Sequence, residues 1–164
     1  MVYNINNLIE ASKKGDKELI KKILKAGIDI NSQDELGFTA LHEVTELGYS
    51  DLFWFLIKNG ANPNIKAEHN FSLLHAAGLG GNESILKYLL EADFDINEVT
   101  EGIDEQAGWS ALHYAVFSNN IECIKYLLKA GIDIKIKNKK GLTALDLGKE
   151  LEKSDSISLL VSAN

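Results

Sequence analysis

Apolar residues recur along this chain in short runs at helical spacing. Leu112, Ala115 and Val116 fall on one face, and Cys123, Ile124, Leu127 and Leu128 on another after a break at Asn119 and Asn120. That pattern predicts two short antiparallel helices, and it returns along the chain. Four segments superpose: Gly37-Phe-Thr-Ala-Leu-His42, Asn70-Phe-Ser-Leu-Leu-His75, Gly108-Trp-Ser-Ala-Leu-His113 and Gly141-Leu-Thr-Ala-Leu-Asp146. Their leucines, Leu41, Leu74, Leu112 and Leu145, lie 33, 38 and 33 residues apart. A second marker follows each helix pair, as Gly27-Ile-Asp-Ile-Asn31, Gly60-Ala-Asn-Pro-Asn64, Asp93-Phe-Asp-Ile-Asn97 and Gly131-Ile-Asp-Ile134. Two independent markers with one period define a repeat, and stepping back from Leu41 to Leu8 adds a first, degenerate unit.

Local chemistry agrees with the periodicity. Thr39, Ser72 and Ser110 stand where an N-cap is needed, three residues before His42, His75 and His113. Gly48 and Gly81 close first helices, and Gly27, Gly60 and Gly131 close second helices, at positions that favour positive φ. The Asp-Ile-Asn segments turn the chain into a hairpin leading to the next unit. One helix pair cannot bury its apolar face alone, so stacking supplies the core. The expected repeats are 1–33, 34–66, 67–99, 105–137 and 138–164, with an insertion at about 100–104. The lysine-rich first unit and the polar last helix read as end caps, beyond which no further repeat is expected.

Thr39-Ala-Leu-His42 and Leu127-Leu-Lys-Ala-Gly131-Ile-Asp133 resemble the ankyrin repeat, whose signature is Thr-Pro-Leu-His-x-Ala followed by a second helix ending in Leu-Leu-x-x-Gly-Ala-Asp-x-Asn. The resemblance covers essentially the whole chain and implies an all-α solenoid of stacked antiparallel helix pairs with β-hairpin-like loops. The chain departs from the signature in three ways. The proline is replaced by Ala40, Leu73, Ala111 and Ala144, Asp93 stands for the closing glycine of the third unit, and Asp146 stands for the last histidine.

Composition narrows the function. The 164 residues are 45% hydrophobic and 25% charged, as in an ordinary folded protein. The longest apolar run, Leu52 to Ile57, is far short of the roughly 20 residues that span a bilayer, and the N-terminus lacks a signal-peptide pattern. One cysteine, Cys123, fits a reducing compartment, so the expected location is cytoplasmic and the sequons at Asn70 and Asn82 are chance matches. The net charge of −7 is uneven: residues 34–105 carry 14 acids and three lysines, the remainder ten acids and 14 lysines. An acidic middle repels nucleic acid and steers a basic partner towards it.

Catalytic chemistry is not visible. Helices pack roughly 8–10 Å apart, whereas zinc ligands lie ~2 Å from the metal, so the repeated histidines are not expected to share an ion. They are expected to bond the capping Thr or Ser and the hairpin backbone. Gly78, Gly80 and Gly81 form no phosphate loop and read as a helix end. The expected protein is a monomer with no metal, no cofactor and no catalytic residue.

In ankyrin-like stacks the resemblance implies a concave groove built from hairpin tips and first helices. Here the tips supply Glu35, Leu36, Phe38, Glu68, His69, Phe71, Gln106 and Trp109, and the first helices supply Glu46, Leu47, Leu79, Tyr114 and Phe117. The insertion adds Glu101 and Asp104 as part of a long acidic finger. Phe38, Phe71 and Trp109 share one repeat position and serve either as anchors for a partner or as packing against the next hairpin. Trp54 is either a back-face contact or packed on a neighbour. The groove is expected to bind another protein through a basic or amphipathic segment. Alternatives are an inhibitor or immunity-type protein that blocks a basic site on an enzyme or toxin, and a metal-dependent enzyme using the finger.

Overall fold

Eight of the ten helices start at a capping Asn, Asp, Ser or Thr, while the helices that begin after Tyr49 and Lys153 have no side-chain cap among the described residues. The computed structural model describes residues 2–92 and 94–163. Among these it has ten α-helices in five pairs: α1 (Ile5–Lys13) with α2 (Lys17–Lys25), α3 (Ala40–Glu46) with α4 (Ser50–Lys58), α5 (Leu73–Gly80) with α6 (Glu83–Glu91), α7 (Ala111–Phe117) with α8 (Ile121–Lys129), and α9 (Ala144–Glu150) with α10 (Ser154–Ser162). The odd-numbered helices stack in order as an inner layer, and α4, α6, α8 and α10 stack behind them. A continuous core from Leu8 to Leu160 runs between the layers. Asp93 lies outside the described residues, so the closing position of the third unit is not among them.

The caps form at the expected residues. Thr39, Ser72 and Ser110 each begin an inner helix through a reciprocal capping box with the histidine three positions on. The backbone N–H of Ser72 donates to His75 Nδ1 at 3.1 Å, and that of Ser110 to His113 Nδ1 at 3.2 Å. Nδ1 therefore accepts, which leaves Nε2–H as the donor. It reaches the Glu98 carbonyl from His75 and the Leu142 carbonyl from His113, both at 3.1 Å. His42 makes the same box, but its Nε2 faces the Phe71 backbone without a hydrogen bond of good geometry. Asp146 substitutes fully at the helix start: the Thr143 N–H and hydroxyl donate to its carboxylate at 3.1 and 2.7 Å.

The loops between pairs are hairpin-like, with antiparallel bridges at Ala67–Phe71 and Val99–Ser110. One backbone bond joins each tip to the next: Glu68 N–H to the Leu36 carbonyl, Glu101 N–H to His69, and Lys139 N–H to Ala107. Lower in the loops, Asn31 Oδ1 accepts from Asn62 N–H and Asn97 Oδ1 from Asp133 N–H.

The glycines of α5 do more than end a helix. Gly81, with φ +68°, closes it as expected. Gly78 and Gly80, however, lie where α5 meets its neighbours most closely. A Cβ on Gly78 would come within 2.7 Å of the Ala111 carbonyl oxygen of α7, and one on Gly80 would overlap the Thr45 carbonyl of α3. Trp54 packs on the neighbouring unit. Its ring stands between Phe53 and Tyr88, with centroids 5.4 and 5.3 Å away, and its Nε1–H points to Ser84 Oγ at 3.4 Å. Cys123 is buried, and burial pushes its thiol up to about 12.

Two outcomes follow from this packing. Gly80→Ala is expected to lower unfolding stability by about 1–3 kcal/mol, because backbone must move to admit the methyl, whereas Gly27→Ala meets no neighbouring atom and carries only its φ strain. Urea titration of the two variants checks this. The second outcome concerns pH. Burial lowers the His42 and His75 imidazoles from 6.5 to about 4, and shifts His113 in the same downward direction. Between those values the unfolded chain binds the extra protons, so the stability present above about pH 6.5 is lost as pH falls towards 4, on the order of 3 kcal/mol for each of His42 and His75. Burial of Glu43, whose carboxyl is raised to about 7, and of Glu46 works in the opposite sense above 4.5 and offsets part of that loss. The melting temperature should therefore fall from pH 6.5 to 4, most steeply below 4.5, and His75→Asn should flatten the profile.

Candidate functional site

The inner helices and hairpin tips enclose a concave pocket of about 390 Å³. Its lining comprises Leu36, Phe38, Glu46, Glu68, His69, Phe71, Leu79, Thr100, Glu101, Asp104, Gln106, Tyr114 and Phe117. The structure thus brings together most of the residues singled out in the sequence. Glu35 and Leu47 are exposed beside it. Trp109 lies outside its lining and borders a second depression with Gln106, Phe117 and Leu142.

The aromatic row is a packed floor. Phe71 is 8% exposed and sits among Phe38, His75 and Tyr114, with ring centroids 5.4–5.7 Å away. Trp109 is 5% exposed, 5.0 Å from Tyr114 and 5.5 Å from Phe117, with its indole N–H bound to the Glu105 carbonyl at 3.1 Å. Tyr114 is buried as well, which raises its hydroxyl to about 12. Of the two roles open to Phe71 and Trp109, packing against neighbours is thus the one their burial displays. Apolar side chains open to solvent on this side include Leu36 at 55%, Leu47 at 45% and Phe117 at 44%, with Ile103 of the insertion at 99%.

The insertion, expected to form part of a long acidic finger, is tied into the stack at its base while residues 103–106 stay exposed. Thr100 is buried, and the chain leaves the stack after the Glu101–His69 rung and rejoins it before the Ala107–Lys139 rung. Thr100 and Trp109 close the base of the excursion: Thr100 N–H donates to the Trp109 carbonyl, Gly108 N–H to Thr100, and Trp109 N–H to Thr100 Oγ1 at 3.0 Å. Thr100, Glu101, Asp104 and Gln106 thereby join the lining of the pocket on one side. Gly102, with φ +104°, passes so close to the His69 ring that a Cβ would come within 2.8 Å of Nδ1. Thr100 and Gly102 carry no local sequence signal for this role, since both look like ordinary loop residues.

Charge is distributed unevenly around the pocket. Glu43, Glu98 and Glu105 on this side pair with Lys13, Lys66 and Lys140. Among the described residues, Glu46, Glu68, Glu101 and Asp104 have no such cation, and the lining contains no lysine. Glu46 is half-buried, and desolvation raises its carboxyl above the usual range, with Lys13 offsetting part of the effect. Among the described residues no cluster of three or more His, Cys, Asp or Glu could hold a metal, and no helix is long and apolar enough to cross a membrane.

The fold and groove define a class: an all-helical repeat solenoid with a concave face. The model of ankyrin repeats matches residues 8–100, 72–138 and 99–164, so the chain belongs to the ankyrin-repeat family. It is similar to a putative ankyrin repeat protein of Rickettsia felis, 35% identical over 96 residues, covering 58% of this chain and 32% of that protein. An inactive serine/threonine-protein kinase, TEX14, of Bos taurus is 38% identical over 89 residues, 54% of this chain and 6% of the kinase. Notch-regulated ankyrin repeat-containing protein A of Danio rerio is 33% identical over 85 residues, 49% of this chain and 76% of its own length. The chain thus spans under a third of the first two relatives. Ankyrin repeats mediate protein–protein interaction, and the family is typically non-enzymatic.

Thr100→Val is expected to keep the loop's shape but leave the Trp109 N–H with the Gln106 carbonyl as its one acceptor, lowering stability by about 0.5–1.5 kcal/mol. Amide exchange should accelerate at Gly108 and Trp109 and remain unchanged in α1 and α2.

Proposed function

We propose that this protein is a binding module that holds a basic or amphipathic segment of a partner protein in its concave groove, with no catalytic step of its own. The observation that carries the reading is the pocket itself, where exposed apolar edges of Leu36 and Phe117 adjoin four carboxylates without lysine partners. Apolar anchors within a polar rim are the composition of a binding hot spot, and unpaired charge of one sign selects a partner of the other. The single buried Cys123 suits a reducing compartment, so the proposed setting is cytoplasmic and the proposed working form a monomer.

The test uses side chains that the fold can spare. Phe71→Ala or Trp109→Ala would remove packed rings, whereas Leu36 and Phe117 are largely open to solvent. A quantitative pull-down with wild type and a Leu36→Ala/Phe117→Ala double variant is expected to retain a protein on wild type only. Raising salt from 0.05 to 0.5 M, about a threefold shortening of the Debye length, should release it. Equal retention by both baits, or retention indifferent to salt, overturns the groove reading.

A further inference from the structure

The pocket has more definition than a groove needs for holding a chain segment. Its four unpaired carboxylates come from three successive units: Glu46 from the second, Glu68 from the tip of the third, and Glu101 and Asp104 from the insertion before the fourth. They surround a floor made of the Phe71 and Tyr114 rings, flanked by Phe38 and Phe117. A ligand suited to this arrangement has a flat, weakly hydrated cationic head that can face an aromatic ring and donate several hydrogen bonds to carboxylates. The stem carrying it must be apolar. Guanidinium meets those demands better than ammonium, which is a compact and strongly hydrated charge.

We propose that this pocket receives a single arginine side chain of the partner segment, its guanidinium seated among Glu46, Glu68, Glu101 and Asp104 above the aromatic floor. The proposal rests on the groove reading and names the group that the groove recognises. The insertion is what makes a pocket of the groove. A hairpin without it would pass from the Glu101–His69 rung to the Ala107–Lys139 rung directly and supply no wall on that side. Both ends of the excursion are tied, by the Thr100–Trp109 pairing and by the approach of Gly102 to His69, so the acids it carries are held in place before a ligand arrives. The chain contains no arginine of its own to compete for the site. Of its lysines on this face, Lys66 pairs with Glu98 and Lys140 with Glu105, both acids outside the lining, and Lys139 donates to the Gly102 carbonyl.

The full chain, labelled with nitrogen-15, is titrated at low salt and neutral pH with N-acetyl-arginine methylamide, followed by its citrulline and lysine counterparts. Citrulline keeps the shape and removes the charge. Saturable shifts are expected for amides around the pocket with the arginine probe, with binding weaker by about tenfold for citrulline, since the charge-assisted bonds are lost. Glu68→Gln/Glu101→Gln, at two exposed sites, should weaken the arginine probe about fivefold and leave the melting temperature in place. Absence of a saturable shift, equal binding of citrulline, equal or tighter binding of the lysine probe, or shifts confined to another face each overturn the proposal. The two readings fail separately. If the partner is lost with Leu36→Ala/Phe117→Ala while the arginine probe does not bind, the groove stands and the arginine site falls. If the probe binds and that variant still retains the partner, the arginine site stands and capture by the groove falls.

Discussion

The structure depends on one polar interaction repeated along its core: a neutral imidazole that accepts at Nδ1 from the start of its own helix and, in two units, donates from Nε2 to the following hairpin. In the third unit His75 thereby connects Ser72 to Glu98, and in the fourth His113 connects Ser110 to Leu142. Each bond satisfies backbone groups that helix termini otherwise leave without partners. Because the imidazole is buried, the link holds only while it is uncharged. Protonation would turn Nδ1 into a donor facing another donor. Helix phase and hairpin position are thus joined within each unit, and the tips project from the inner helices at a repeated height.

On that frame the spacing of the inner layer is set by small residues. Gly78 and Gly80 let α5 approach α7 and α3 so closely that their backbones meet, which places Tyr114 of α7 against Phe71 and Phe38 against the same ring. Asp146 shows how much of the frame a carboxylate can replace. It completes the capping box with Thr143, at a position where the chain needs the helix started.

The insertion adds recognition at little expense to the frame. Lengthening a surface loop by a few residues costs little chain entropy, and the backbone rungs on either side keep the register of the stack. The extra residues are then free to carry acids and a fully exposed Ile103 without disturbing a helix. Family membership and the groove therefore rest on the regular part of the chain, while the shape of the pocket rests on its irregular part.

The sequence by itself determined the helices, their pairing and their ends. Helical period, capping residues and C-terminal glycines act over a few positions, and so could be read from Thr39 to His42 or from Gly81 alone. It also placed Leu36, Glu46, Glu68, Leu79 and Phe117 on one face, because equal positions in equal repeats must point the same way. Only the tertiary structure decided that Phe71 and Trp109 turn inward, that Trp54 is held between Phe53 and Tyr88, and that the acidic insertion lends side chains to the pocket. Those outcomes turn on contacts such as Glu101 with His69 and Ala107 with Lys139, between residues some 32 positions apart in the chain. No local pattern encodes such distances: they exist once the units have stacked, and the stacking energy then overrides what each side chain would do alone.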